Sequence, residues 1–159
     1  MRKPRPARTS PEPGEGKRGQ EGHLGYLLRQ AGAAFRVRME RALSDLDVTP
    51  PQFAALTMTA AYPELSSADL ARLSLLTPPT VTVIVGNLKR SGALVDRPHP
   101  VHGRIRQLEI TPAGKELLAR CKRRVEALEA RLTAGLSPAD EKAVRRWLVS
   151  VATDNKAKA

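Results

Sequence analysis

Apolar residues recur at steps of three and four over most of the chain, the spacing that gives a helix one apolar face. The first stripe predicts a long helix from about Glu21 to Leu46, and such a length in a small chain predicts that part of it packs on a second copy. This stripe consists of Leu24, Leu28, Ala31, Phe35, Met39, Ala42 and Leu46. Further stripes predict five more helices, which begin near Pro50, Ser66, Thr77, Pro112 and Pro138.

A Ser or Thr followed by Pro opens four of the predicted helices. The hydroxyl can accept a hydrogen bond from an N–H of the first turn, and Pro suits the first helical position because its nitrogen carries no hydrogen. Gly92 and Gly135 stand where two of the helices should end. The four pairs are Thr49-Pro50, Thr77-Pro78, Thr111-Pro112 and Ser137-Pro138.

The stretch from Leu65 to Arg106 predicts a helix-turn-helix followed by a β-hairpin. Ser66 and Asp69 have the spacing of a capping box at the start of its first helix. The second helix contains a β-branched run, residues 80–85, which by composition alone favours a strand. Periodicity decides for a helix, because four apolar residues of this segment fall on one face. They are Val81, Ile84, Val85 and Leu88.

After that helix, residues 94–97 are predicted to form a strand, residues 98–103 a turn, and Arg104 to Ile110 the return strand. The predicted fold class is mainly α: a winged helix-turn-helix domain, with helices and a small β-hairpin wing, carrying N- and C-terminal dimerisation helices. The predicted divisions are a disordered basic tail (1–20), dimerisation helices (21–48 and 112–152), a winged helix-turn-helix DNA-binding lobe (49–111) and a flexible C-terminus (153–159).

The outward face of the second helix of the motif is small and uncharged until its C-terminal end. Small side chains allow close approach to another surface, and Thr hydroxyls and Thr and Val methyls can contact base edges in a major groove. A solvated face is the plain alternative, but such a face normally carries Glu and Lys. The face consists of Pro79, Thr80, Thr82, Val83, Gly86, Asn87, Lys89 and Arg90.

Composition favours a nucleic-acid partner. The 159-residue chain has a formal net charge of +11, which suits a polyanion. Only 3% of its residues are aromatic, which argues against binding single strands or RNA by base stacking. With no secretory signal and no long apolar run, we expect a cytoplasmic protein without a membrane partner. The sequence contains no recognisable catalytic constellation, so we expect neither an enzyme nor a cofactor.

Several short motifs, in this order and spacing, resemble the MarR family of bacterial winged-helix transcription regulators. They are L-D-V-T-P-P-Q-F-A-A-L (46–56), L-T-P-P-T-V-T (76–82), L-K-R-S-G-A-L-V-D-R (88–97), H-G-R (102–104) and L-E-I-T-P-A-G-K-E-L (108–117). The likeness runs from about Leu24 to Ala152. It implies a homodimer that regulates transcription, as a repressor, by binding a pseudo-palindromic operator in double-stranded DNA.

The resemblance also implies which residues contact DNA. Thr80 and Thr82 match residues of the family's recognition helix, and Arg104 matches a wing Arg that enters the minor groove. Two positions depart from the family pattern: His102 stands where an Asp commonly anchors that Arg, and Val83 stands where an Arg is frequent. These departures and the high charge keep a sequence-nonspecific architectural DNA-binding protein open as an alternative. The predicted DNA-binding residues are Thr77, Pro79, Thr80, Thr82, Val83, Asn87, Arg90, His102, Arg104 and Arg106.

An effector pocket is implied by the resemblance alone. The family often binds small aromatic anions between the helical dimer region and the DNA-binding lobe. For any one aromatic residue, however, a plain role in the core is the more frequent explanation. The candidate lining residues are Tyr26, Phe35, Phe53 and Tyr62.

Three further features of the sequence bear on redox chemistry, metal binding and non-specific DNA affinity. Cys121, the single cysteine, falls on an apolar stripe, so we interpret it as a buried core thiol rather than a redox sensor. His99 and His102 have too few ligand types around them to predict a metal site. Residues 1–20 carry six basic and two acidic side chains, and this tail is either an arm that adds non-specific DNA affinity or inert.

Overall fold

The computed structural model describes residues 11–98 and 106–153, and in this part it contains six α-helices and one two-stranded antiparallel sheet. The predicted fold class is confirmed. Two 3-10 helices, Gly16–Arg18 and Ser44–Leu46, flank the first α-helix. The elements are α1 (Leu24–Leu43), α2 (Pro50–Ala61), α3 (Ser67–Ser74), α4 (Pro78–Arg90), β1 (Leu94–Pro98), β2 (Arg106–Ile110), α5 (Pro112–Thr133) and α6 (Pro138–Thr153).

Hydroxyl side chains begin the helices where the sequence predicts them. Each accepts a hydrogen bond from the backbone N–H three residues later, which satisfies a donor that has no partner within the helix. At Thr49 and Ser66 the bond is reciprocal, because Gln52 Oε1 and Asp69 Oδ2 accept from the cap N–H at 2.8 and 3.0 Å. The capping box predicted at Ser66 is therefore confirmed. The capping residues are Thr49, Ser66, Thr77, Thr111 and Ser137.

The β-branched segment of α4 is helical, as its periodicity predicts, and the four residues of the predicted apolar face are buried: Val81, Ile84, Val85 and Leu88. The turn before it contains no glycine. Leu75 instead adopts a left-handed conformation with φ of 52° and exposes 79% of its surface, a conformation that costs a non-glycine residue about 1–2 kcal/mol. The turn closes through Leu76 N–H, which donates to Ala71 O at 3.1 Å.

Two apolar clusters support the fold. The larger one fills the lobe formed by α2, α3, α4 and the sheet, and its fully buried side chains include Leu56, Leu70 and Leu94. The smaller one lies between the end of α1 and α5, and Phe53 and Leu117 pack against both. The smaller cluster consists of Met39, Leu43, Val48, Cys121 and Val125.

The ends of α1 differ from the prediction of Glu21 to Leu46. The chain before Leu24 forms a turn in which Gly22 N–H donates to Gly19 O at 2.9 Å, so the helix begins later. At the other end the helix tightens into the 3-10 turn, and Asp47 takes a left-handed φ of 52° that ends it. Leu43, outside the predicted stripe, is completely buried.

Other boundaries also need correction. The inner edge of α2 is formed by Ala55, Leu56 and Thr59, whereas Ala60 is exposed. Residues 11–20, expected to lack structure, contain the first 3-10 helix, and Arg18 Nη1 donates to Pro11 O at 2.6 Å. The helix α6 includes Thr153. The remaining parts of the two predicted terminal segments, residues 1–10 and 154–159, lie outside the described residues.

The last helix, α6, has no buried residue within the single chain. Its apolar stripe comprises Val144, Trp147, Leu148 and Val151, each of which exposes about two fifths of its surface. Leu24, at the start of α1, and Leu132 and Leu136, near the end of α5, are exposed as well. Among the described residues, none covers the apolar stripe of α6 well enough to bury it.

Candidate nucleic-acid interface

The exposed face of α4 has the composition that the sequence predicted. Pro79, Thr80, Thr82 and Val83 are all exposed, and no charged residue occurs between Thr77 and Leu88. Asn87 is half-buried, and Arg90 is exposed at the last position of the helix. The face therefore presents methyl groups and hydroxyl oxygens first and positive charge only at its end.

The hydroxyl groups at the start of α4 bond to the helix itself. Thr82 Oγ1 donates its proton to Pro78 O at 3.0 Å, and Thr77 Oγ1 and Thr80 Oγ1 share one hydrogen bond of 2.8 Å. Thr77 Oγ1 also accepts from Thr80 N–H at 3.4 Å. These bonds hold the side chains against the helix and still leave acceptor capacity on the hydroxyl oxygens.

Both cations at the end of α4 have partners within the protein. Lys89 Nζ lies 2.5 Å from Asp96 Oδ2 on β1, and the two side chains are about two thirds buried. Arg90 donates to Asn87 Oδ1 one turn earlier. The pair between Lys89 and Asp96 fixes the position of the wing relative to α4, because it joins the two elements directly.

The wing strands pair from Leu94 opposite Ile110 to Pro98 opposite Arg106. Arg97 forms a forked pair with Glu109 across the strands, and this carboxylate raises the pKa of the Arg97 guanidinium above its ordinary value. Arg106 is exposed where β2 begins. Two residues predicted to contact DNA, His102 and Arg104, lie outside the described residues, as does His99.

The start of α5 holds the link between α4 and β1. Thr111 Oγ1 donates to Gly92 O at 2.6 Å, and Thr111 N–H donates to Ala93 O at 3.1 Å. Gly114 packs so closely that a Cβ there would lie 2.1 Å from Ala93 O. The start of α5 is thus bound directly to the segment that joins the end of α4 to β1.

Sequence reasoning missed the residues that connect these elements. Asp96 and Lys89 are seven apart in sequence and on different elements, so no local pattern pairs them. Gly114 carried no specific signal either, since a glycine within a helical pattern is tolerated and does not by itself mark a close approach. Gln107 also joins α3 to the wing, through a single bridge between Ser66 and Gln107.

The four aromatic residues proposed for an effector pocket are not brought together in one cavity of the described chain. Phe35 and Phe53 are half-buried against the smaller cluster, whereas Tyr26 lies under the guanidinium of Arg29, 5.4 Å from ring centroid to Cζ. Tyr62 is exposed and lines a separate cleft of about 760 Å³ beside α3. The pocket remains a prediction.

Cys121 is completely buried in the smaller cluster, as predicted, and burial raises the pKa of its thiol. Among residues 11–98 and 106–153, no three His, Cys, Asp or Glu side chains are grouped so that they could hold a metal ion. Within the same ranges no single helix is long and apolar enough to cross a membrane; α3 and α4 reach that length only as a pair bent by 115°.

A capped, surface-exposed helix at the end of a helix-turn-helix, joined to a two-stranded wing, defines a winged helix-turn-helix DNA-binding protein. The sequence signature of the MarR family matches residues 46–105. The chain is 37% identical over 132 residues to the HTH-type transcriptional repressor Rv2887 of Mycobacterium tuberculosis, a match that covers 82% of this chain and 94% of that protein. The chain belongs to the MarR family of transcriptional regulators.

Solved structures agree in fold. The structure of Mycobacterium tuberculosis Rv2887 in complex with DNA superposes with a TM-score of 0.64 at 33% identity and covers 82% of this chain and 98% of that one. The repressor CouR, bound to a 23-mer DNA duplex, superposes with a TM-score of 0.77 at 25% identity and covers 87% of this chain and 98% of that one. CouR is from Rhodococcus jostii. These matches support the regulator and not the architectural alternative.

Proposed function

We propose that the protein represses transcription by binding a pseudo-palindromic operator as a homodimer, and that a small aromatic acid releases it. The exposed face of α4 carries this proposal. Because its first three turns hold no charged side chain, the helix can lie against base edges without removing an ion from water. The DNA-contacting set is the one predicted from the sequence, with Thr80, Thr82 and Val83 at its centre.

The exposed apolar stripe of α6 supports the homodimer. A stripe of four large apolar residues on one helix normally marks an interface. A second copy would cover it together with the exposed leucines of α1 and α5. Two copies related by a two-fold axis would present two α4 helices about one helical turn of DNA apart, which requires an operator with inverted half-sites.

The effector class comes from the relatives. Rv2887 has been solved in complex with p-aminosalicylic acid and with salicylic acid. Phe35 and Phe53 lie half-buried where the smaller cluster meets the lobe, and we propose that helices of the second copy complete a pocket there with Tyr26. Tyr62, beside a different cleft, is the weakest member of the predicted set. A repressor must reach the chromosome, so we place it in the cytoplasm and assign it no catalytic activity.

Selection of bound sequences from a random duplex pool, at about 150 mM salt, tests the proposal. We expect an inverted repeat that binds at least roughly 10³ times more tightly than unrelated DNA. Recovery of no motif, with binding that collapses as salt rises, would refute it. Addition of salicylic acid should then release the recovered duplex if an aromatic acid is the effector.

A matched pair of variants ties the result to α4. Thr82→Asp places a carboxylate on the exposed face and should weaken operator binding by roughly tenfold or more through repulsion of phosphates. Thr153→Asp is the control, because Thr153 is also exposed and also bonds to the carbonyl four residues earlier, at 2.9 Å. Equal losses in both variants would contradict the assignment to α4.

A further inference from the structure

The geometry of α4 points to a readout of thymine methyl groups by Val83 and Thr82, so that the major-groove contacts of this helix select A·T over G·C base pairs. This inference rests on the proposed DNA-binding function and specifies the kind of base pair that α4 recognises. Of these two residues, Val83 stands where the family frequently has an Arg.

Val83 is the most prominent apolar group of the face. It exposes 62% of its surface and follows Pro79, also exposed, by one helical turn. Three residues further along the same face stands Gly86, where, in the described part of the chain, an added Cβ would have only Arg90 Nη1 nearby, at 3.9 Å. Gly86 therefore adds no side chain beside Val83, whose two methyl groups can reach a flat surface.

The hydroxyl groups beside Val83 have few protons to donate. Thr82 gives its proton to Pro78 O, and the hydrogen bond between Thr77 and Thr80 uses a second. Three hydroxyls therefore leave one proton for a ligand, while their oxygens can still accept. Guanine presents two acceptors, N7 and O6, in the major groove and needs two donors. Adenine and cytosine each have an amino group there, which can donate a hydrogen bond to a hydroxyl oxygen.

The cations that could donate to guanine are distant and engaged. Lys89 and Arg90 are in the last turn of α4, about 10 Å along the helix axis from Thr82. Lys89 pairs with Asp96 and Arg90 with Asn87. In helix-turn-helix proteins the N-terminal residues of the recognition helix contact the base edges. The usual partner of guanine, an Arg or Lys, is thus absent from the turns that would meet the bases.

The thymine methyl is the apolar group on base edges in the major groove, and it is the group that an exposed valine can recognise. A face with methyl groups and acceptors but almost no donors matches thymine and the adenine amino group. Both kinds of base pair present two acceptors and one amino group in the major groove, so acceptor capacity alone does not separate them. The face lacks the paired donors that favour guanine, and its methyl groups favour the thymine of an A·T pair. Val83 and Thr82 would therefore determine base preference directly.

Deoxyuridine substitution tests this readout, because uracil differs from thymine only by lacking the 5-methyl group. In the duplex recovered by selection, thymines of the two half-sites are replaced by uracil, and affinity is measured by fluorescence anisotropy at constant salt. One buried methyl contact corresponds to roughly a fourfold change in affinity, so two half-sites give about a 15-fold loss. Uracil placed only in the flanking sequence controls for changes in duplex stiffness.

Variants connect the methyl group to Val83. Val83→Ala should bind the thymine duplex more weakly than the unaltered protein does, and its preference for thymine over uracil should shrink to the part that the Thr82 methyl contributes. Val149→Ala is the matched control, since Val149 is also helical and also 62% exposed, but lies on α6. It should retain the full preference for thymine.

Two results would overturn the readout. One is equal binding of thymine and uracil duplexes by the unaltered protein; the other is an undiminished preference for thymine in Val83→Ala. These failures differ from failure of the proposed function. If selection recovers an operator and uracil has no effect on affinity, the proposed regulator function is supported and the readout of thymine methyl groups is refuted. If selection recovers nothing, the proposed function itself fails.

Discussion

Replacing Gly114 by alanine should destabilise the protein, although the residue lies in a helix, where alanine is normally favoured. A Cβ at this position would lie 2.1 Å from Ala93 O and 2.9 Å from both Ala93 C and Ile110 Cγ1. Two of these three atoms belong to the backbone, which cannot rotate away as a flexible side chain can. The start of α5 or the link between α4 and β1 must therefore move.

The size of the effect follows from one stabilising and two destabilising contributions. Alanine in place of a helical glycine stabilises by about 0.5–1 kcal/mol. Overpacking typically costs about 1–3 kcal/mol. Moving Ala93 would also weaken the bond from Thr111 N–H at 3.1 Å, which contributes about 1 kcal/mol. We expect a net loss of about 2 kcal/mol in the free energy of unfolding.

Urea unfolding at a fixed protomer concentration measures this loss, because the stability of a dimer depends on concentration. Gly86→Ala is the matched control: it is the same substitution in a helix, with only the end of the Arg90 side chain within 4 Å. The free energy of unfolding of the Gly86→Ala control should rise by about 0.5–1 kcal/mol. If both variants are stabilised equally, the close packing of α5 on Ala93 is wrong.

Three further outcomes are expected. Trp147→Glu puts a charge into the stripe of α6, and sedimentation velocity should show a monomer in place of a dimer. Asp69→Ala removes half of the capping box of α3 and should cost about 1 kcal/mol in urea unfolding. Bonds from Ser66 and the neighbouring Arg72 lower the pKa of Asp69, so its contribution is present above about pH 4, the unfolded value, and is lost as the pH falls through the lower folded value. Burial raises the thiol pKa of Cys121, so mild peroxide should leave DNA affinity unchanged and thiol reagents should react only on unfolding.

Each of these outcomes has a contrary result. A dimeric Trp147→Glu protein would remove α6 from the interface, and Glu126→Gln, an exposed change on α5, controls for handling. If the destabilisation by Asp69→Ala were the same at about pH 2 as at about pH 6, the ionised carboxylate would not be the stabilising species. Rapid labelling of Cys121 in the native protein would show that the smaller cluster opens readily.

The sequence predicted the helices and their caps, because both depend on residues three or four positions apart. The apolar period of α4 outweighed the strand preference of residues 80–85, because Val81, Ile84 and Leu88 must share one buried face. Caps were equally readable, since a hydroxyl at Thr77 bonds to a donor three residues away. The exposed residues of α4 followed from the same period once its buried face was known.

What the sequence could not predict depends on contacts between distant residues. Asp96 meets Lys89 only after the chain has turned at Gly92, and Arg124 pairs with Asp45 across 79 positions. Leu43 is a different case: it follows Met39 by one helical turn on the same face, so the period could have predicted its burial although the predicted stripe omitted it. The start of α1 depended on a turn at Gly22 that no periodicity marks.

The proposed readout places base preference on a different surface from the cations that attract phosphates. The net charge of +11 is carried elsewhere than the first turns of α4, which hold no charged side chain. Contacts between cations and phosphates weaken steeply as salt rises, whereas a contact between methyl groups does not depend on salt. Operator affinity should therefore fall with added salt while the ratio of affinities for thymine and uracil duplexes stays constant. A ratio that falls in parallel with affinity would place the discrimination on the charged surface and remove Val83 from base recognition.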